Sequence, residues 1–156
     1  MQPGDLIFIR GTEGMAGPIK KVTRSPYTHI AGIVLDGHVL ESQALRRTGH
    51  LTLETYKGVS DVYTCPVLSM EQRHEIVQAA TKWLGAKYDY LLFGFLAFKH
   101  LLRLDVPVYG GKKRQICTTL WTDAYRSVGI ELCPGIEYPT PGELAESALL
   151  RKVGSF

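Results

Sequence analysis

The chain changes its hydrophobic period near its middle, and that change limits the folds open to it. Up to Leu68 the apolar residues come in short blocks bounded by Gly, Pro and Asp. From Ser69 onward they recur at helical spacing. Leu6-Ile7-Phe8-Ile9 follows a Pro3-Gly4-Asp5 turn and reads as a short buried strand. Tyr27–Leu35 carries the clearest strand signal, Asp36-Gly37 is a hairpin turn pair, and His38–Ser42 is the returning strand. Leu51–Leu53 is a weaker strand or turn. Asp61–Leu68 alternates as a further strand, with Pro66 suggesting an edge or a bulge. Strands first and helices afterwards predict an α+β class rather than alternating α/β.

In the helical half, Ser69 and Gln72 form a capping box ahead of the stripe Ile76, Val77, Ala80, Trp83 and Leu84, which Gly85 ends. Asp89 caps a second, very apolar helix reaching Leu104. A third begins just after a cysteine: Ile116, Leu120, Trp121, Ala124, Tyr125 and Val128 share one face, and Gly129 stands at the C-terminal cap. Thr140-Pro141-Gly142-Glu143 opens a short final helix to about Leu149. Pro18 opens another through Val22, and Val106–Lys113 is a loop or short strand.

With 156 residues the chain fits one domain, 1–156, long enough to bury a core without disulfide staples. Its three cysteines, at 65, 117 and 133, are too few and too odd for a disulfide framework, and no zinc-ligand spacing is present. The net charge of +3 is mild, and the small basic clusters Lys20-Lys21, Arg46-Arg47 and Lys112-Lys113-Arg114 read as solvated surface. No nucleic acid is expected as a partner. No secretory signal is visible, and Tyr90–Phe98, the most apolar stretch, is too short to span a bilayer. The default compartment is the cytoplasm, with delivery by a virion or secretion system as the other route.

Cys117 is the residue with the most chemical promise. At a helix N-terminus, free amides and the positive end of the dipole favour a thiolate. An inert buried cysteine fits the same position. A nucleophile needs a base, and the base a polar partner that fixes its ring. His29, at the start of a strand and half exposed at a sheet rim, is the best base; a structural histidine is the alternative. Glu41 is the candidate orienter, or else a solvated strand carboxylate. Its register matters. An ideal two-residue turn at Asp36-Gly37 pairs Leu35 with His38, sets Glu41 opposite Gly32 and points it away from His29. A bulge or a longer turn is required to bring both onto one face.

Several segments together resemble a known family. Gly4-Asp5-Leu6-Ile7-Phe8, Ser25–Leu35 with its Tyr27-Thr28-His29, and Val39-Leu40-Glu41-Ser42 are similar to the permuted branch of the NlpC-type, papain-like amidases, the YiiX-like branch. So are Gly85–Asp89, Ile116–Trp121, Tyr125, Gly129-Ile130 and Pro139–Leu144. The histidine hairpin precedes the cysteine helix, the reverse of the unpermuted order. The resemblance implies a circularly permuted papain-like fold, a small antiparallel sheet or barrel packed on helices that include the nucleophile helix. It places the nucleophile on Cys117, the base on His29 and the third polar residue on Glu41. Thr118-Thr119 stands where the branch frequently has Ser-Glu, and Ile116 where an aromatic residue is common.

The implied activity is cleavage of an amide bond, in a cell-wall peptide or another small amide, through a thioester acyl-enzyme and without metal or organic cofactor. Tyr27 and Tyr88 are candidates to line the substrate site, with core packing the alternative for each. A thiol acyltransferase or lipid esterase of the same superfamily is the next reading, because Tyr90–Leu104 offers an acyl pocket or a peripheral membrane contact. A non-catalytic binding module that keeps the fold is the third. Nothing in the sequence specifies the oligomeric state.

Overall fold

The computed structural model describes residues 1–11, 25–35, 37–102 and 114–156, with the backbone alone at 97–102 and 114. The expectations for Pro18–Val22 and Val106–Lys113 lie outside the described residues.

Strands β1 (Leu6–Arg10), β2 (Tyr27–Leu35), β3 (His38–Glu41), β4 (Gly49–Thr52), β5 (Ser60–Thr64) and β8 (Arg151–Ser155) form a six-stranded sheet in the order β4-β3-β2-β1-β5-β8. Every pairing in it is antiparallel. A one-turn 3₁₀ helix, Leu53–Tyr56, links β4 to β5. The helices are α1 (Met70–Thr81), α2 (Tyr90–Leu102), α3 (Cys117–Arg126) and α4 (Pro141–Ala145). Two-residue strands β6 (Lys87–Tyr88) and β7 (Arg114–Gln115) pair in parallel. Among the described residues the chain is thus a mixed α+β protein with a six-stranded antiparallel sheet and four helices.

The unbroken apolar run of β1 reflects burial on both faces. Leu6 and Phe8 join Ile30, Leu40, Trp121 and Tyr125 beneath the helices. Ile7 and Ile9 join Ala31, Ile33, Val39, Val62 and Tyr56 on the other face. Helix α3 lies close on β2 because position 32 is glycine: a Cβ there would stand 2.2–2.5 Å from ring carbons of Trp121. Trp121 is fully buried and its indole N–H donates to the Leu40 carbonyl at 3.2 Å. At the far end of α3 the Tyr125 hydroxyl donates to the Gly4 carbonyl at 2.7 Å. Helix α1 is pinned by a buried Arg73–Asp5 pair at 2.8 Å, and Arg73 also donates to the carbonyls of Pro3 and Cys65.

The caps fall where the sequence puts them. Ser69 with Gln72 and Thr140 with Glu143 make reciprocal capping boxes, and Asp89 accepts from the Leu92 amide at 3.1 Å. Gly129 follows α3 at φ +78°. Two expectations are corrected. β5 ends at Thr64, before Pro66, and lies between β1 and β8, so Pro66 marks a strand end rather than an edge. The final helix stops at Ala145, and the chain then returns as β8, whose mostly exposed side chains carry no apolar alternation. Helix α2 is neither all core nor all surface: Leu92 and Leu96 are buried, while Leu91 and Phe95 are 65% and 49% exposed.

Candidate functional site

Two bulges in β2 decide which side chains meet. Near the turn Leu35 pairs with His38, as an ideal two-residue turn requires. The register then shifts, and Ile33 pairs with Val39 and Gly32 with Leu40. The extra residue, Val34, carries the count on so that Glu41 falls opposite Ala31, on the face that also holds His29. At the other end of β2, Ile9 pairs with His29 but Arg10 with Tyr27, which makes Thr28 a second extra residue. That shift turns Tyr27 to the face opposite His29.

His29 and Glu41 meet directly: Nε2 lies 2.7 Å from Glu41 Oε2, with the side chains 17% and 4% exposed. The same carboxylate oxygen accepts a hydrogen bond from the Tyr56 hydroxyl. The Cys117 side chain is close enough to the imidazole to act on its charge. Since Nε2 addresses Glu41, Nδ1 is the ring nitrogen left for a further partner. Ser42 fastens the two halves of the site, its hydroxyl donating at 2.9 Å to the carbonyl of Gln115, two residues before the cysteine.

Cys117 opens α3, as its sequence setting predicts. The first-turn amides of a helix have no acceptor within it. Thr119 caps the turn: its hydroxyl accepts from the Ile116 amide at 3.0 Å and donates to the Gln115 side-chain oxygen. The neighbouring Thr118 hydroxyl is buried with no hydrogen-bond partner among the described residues.

The electrostatics follow from burial and from close opposite charges. Burial pulls the His29 imidazole toward neutrality, but the Cys117 sulfur and the Glu41 carboxylate outweigh it and push its pKa up to about 10. Burial likewise disfavours the Glu41 carboxylate. Hydrogen bonds from His29 and Tyr56, with the charge of Arg46, reverse that and hold it below the usual carboxylate range. Burial raises both the Tyr56 and the Tyr88 hydroxyl; Glu41 raises Tyr56 further, and the neighbouring Cys117, Tyr90 and Asp89 raise Tyr88, so both stay protonated. In Cys65 and Cys133, both free, burial outweighs the nearby Arg73 and Arg126 and pushes both thiols up, Cys133 to about 11.

Of the five residues singled out from the sequence, the structure joins His29 to Glu41 by a hydrogen bond and sets Cys117 close enough to act on the ring, while Tyr88 packs in one cluster with Ile116, the residue before Cys117. Tyr27 does not join them. Its hydroxyl donates to Asp61 at 2.6 Å and lies 3.1 Å from the Tyr63 hydroxyl, and its ring packs on Phe8. The physical reason is the extra residue Thr28. Two residues of the site carry no signal in the sequence reading. Tyr56 sits in a single 3₁₀ turn fifteen positions after its partner Glu41, and no local pattern announces that contact. Arg46 is noticed only as part of a basic pair, yet its charge acts on Glu41 and Tyr56.

Among the described residues no helix is long and apolar enough to cross a membrane. No protein-family model and no curated protein matches the chain. A solved structure does: the crystal structure of metalloprotein yiiX from Escherichia coli O157:H7, of the family DUF1105. It aligns over 99% of this chain and 97% of its own with a TM-score of 0.74 at 17% sequence identity. At that identity the likeness is one of fold: the chain has a YiiX-like fold.

Proposed function

We propose that the chain is a cysteine-dependent hydrolase of amide bonds with a circularly permuted papain-like architecture. The observation that carries the reading is a single imidazole hydrogen-bonded to a buried carboxylate, with a helix-opening cysteine close enough to act on its charge. In this reading the positive imidazole and the first turn of α3 support a Cys117 thiolate. The thiolate attacks the carbonyl carbon and forms the S–C bond. First-turn backbone amides stabilise the oxyanion. The C–N bond breaks as His29 gives its proton to the departing amine. His29 then takes a proton from water, the hydroxide displaces the thiolate from the thioester, and a carboxylic acid leaves. Glu41 acts through His29, fixing its ring and supporting its charge, and Tyr56 in turn holds Glu41.

The yiiX protein is described as a metalloprotein. Among the described residues of this chain no three His, Cys, Asp or Glu side chains gather as a metal-holding group. His29 and Glu41 face each other rather than a common point, so the donor set does not fit a metal and no step is derived through one.

A second reading, a thiol acyltransferase or lipid esterase, draws on α2, which exposes Tyr90, Leu91 and Phe95 next to Tyr88. A panel of peptide amides and lipid esters, run with wild type and Cys117→Ala, separates the two. Turnover of amides with a thioester adduct at Cys117 by intact mass supports hydrolysis of amides; turnover of lipid esters alone supports the second reading. Activity that survives in Cys117→Ala contradicts both, and a protein inert on every substrate without adduct favours a binding module.

A further inference from the structure

A pocket of about 330 Å³ opens beside the candidate site, lined by Leu45, Arg46, Arg47, Lys87, Tyr88 and Tyr90. Three of these six residues are cationic and none is acidic. The pocket reaches the site from two sides. Tyr88 pairs with Gln115, two residues before Cys117, and packs in one cluster with Ile116, while Arg46 follows β3, the strand of Glu41, and its charge acts on that carboxylate. Its walls are braced by backbone. The Thr48 amide donates to the Ala86 carbonyl and the Gly85 amide to the Thr48 carbonyl, each at 2.9 Å. The loop is also shaped at a conformational cost. Leu45 takes φ +67°, a region a branched side chain rarely adopts, and the Tyr90 hydroxyl holds it by accepting its amide at 2.7 Å.

Of the three cations, Arg47 donates to the Gly85 carbonyl at 2.9 Å. Arg46 and Lys87 bond through the backbone, Arg46 to the Gln43 carbonyl and Lys87 within the β6–β7 pair, and no side-chain hydrogen bond or ion pair of either is found among the described residues. The Tyr90 hydroxyl, having accepted from Leu45, keeps its own proton to donate. Such a set of donors, with aromatic walls, suits a planar or tetrahedral oxyanion.

We propose that this pocket receives an oxyanion group of the substrate, a carboxylate or a phosphate, and sets it beside the bond presented to Cys117. The proposal rests on the hydrolase reading and names the substrate class for it: amides that carry an anionic group close to the scissile carbonyl. Arg46 and Lys87 bind the anion; Tyr90 shapes the loop and donates to it.

The test compares two alkylating probes of the same size, iodoacetate and iodoacetamide, reading the rate of S–CH₂ bond formation at Cys117 as iodide leaves. Imidazolium alone favours the anionic reagent, so the reading is the iodoacetate-to-iodoacetamide ratio in wild type against Arg46→Gln/Lys87→Gln. Removing two exposed cations from the pocket wall is expected to lower that ratio by about three- to tenfold at low salt, with the effect fading as salt rises. Inorganic phosphate and acetate, tested separately, distinguish the sources: selective protection of wild-type Cys117 by one of them names the phosphate or the carboxylate. An unchanged ratio, or protection by both anions that is equal in wild type and the double variant, overturns the pocket assignment while leaving the hydrolase reading intact. Slow labelling of Cys117 by both probes overturns the hydrolase reading itself.

Discussion

Glu41→Gln separates the charge of the buried carboxylate from its shape. Both hydrogen bonds to Glu41 end on one oxygen, Oε2, from His29 at 2.7 Å and from the Tyr56 hydroxyl. A glutamine whose amide oxygen takes that place keeps both partners and removes only the charge. Hydrogen bonds to charged groups contribute about 1.5–3 kcal/mol and neutral ones about 0.5–1.5 kcal/mol, so two bonds together lose about 2–3 kcal/mol. Relief from burying a carboxylate that is only 4% exposed offsets part of this. The net expectation is a protein about 1–2 kcal/mol less stable, with Tm lower by about 2–8 °C at this chain length. Glu41→Ala is different in kind. It leaves the imidazole and the Tyr56 hydroxyl facing an unfilled space and costs about 3–5 kcal/mol. In Glu41→Gln the His29 ring also loses one of the two charges that hold its proton, so its titration moves toward neutral pH. Thermal unfolding at pH 6 and an NMR titration of the His29 ring protons read the two effects. Wild-type stability together with an unmoved His29 titration refutes the claim that the carboxylate charge supports the imidazolium.

Three further outcomes are expected. The stability difference between wild type and Glu41→Gln depends on pH in a defined direction. His29 is raised from 6.5 to about 10, so its share is complete below about pH 6.5 and lost as pH rises through about 10. Glu41 is lowered from 4.5, so its share is present above that value and lost in acid. Unfolding curves across pH should show the largest difference between about pH 5 and 7, shrinking on either side; a difference that keeps growing toward pH 10 counts against the pair. Gly32→Ala drives a methyl into the Trp121 ring and is expected to cost about 2–4 kcal/mol, because the indole cannot yield without breaking its bond to Leu40. Denaturant midpoints within about 0.5 kcal/mol of wild type would show that α3 does not lie as described. Thr118→Val removes a buried hydroxyl without a partner among the described residues and should leave stability unchanged or raise it by up to about 1 kcal/mol; a loss above about 2 kcal/mol would mean that the hydroxyl is bonded.

Much of the fold is legible where local chemistry is strong. The capping boxes at Ser69 and Thr140, the strand Tyr27–Leu35 and the start of α3 at Cys117 all follow from residues within a few positions of one another. The missed elements are those held by distant backbone. Strand β8 has no apolar alternation because it lies at the sheet edge with most side chains in solvent, and β6 and β7 are two residues each. The site divides in the same way. The sequence reading reaches Cys117, His29 and Glu41 and shows that a bulge or a longer turn is required to join the last two. It does not say that the extra residue is Val34, nor that a second one, Thr28, carries Tyr27 away. Bulges answer to the packing of a whole sheet, and neither residue type marks one. Tyr56 and Arg46 reach Glu41 through the β3–β5 connection, a contact that only tertiary structure creates.

The central claim is that Cys117 is an activated thiol and not a packed one. The three cysteines provide the control, since Cys65, Cys117 and Cys133 are almost equally hidden, at 0%, 8% and 6% exposure. The most direct measurement is the rate of iodoacetamide labelling at each, resolved by peptide mass spectrometry at neutral pH. The account predicts that Cys117 reacts at least about 100-fold faster than the other two and that His29→Gln removes most of that advantage. Labelling of all three at similar slow rates, or a fast Cys117 indifferent to His29, would contradict it.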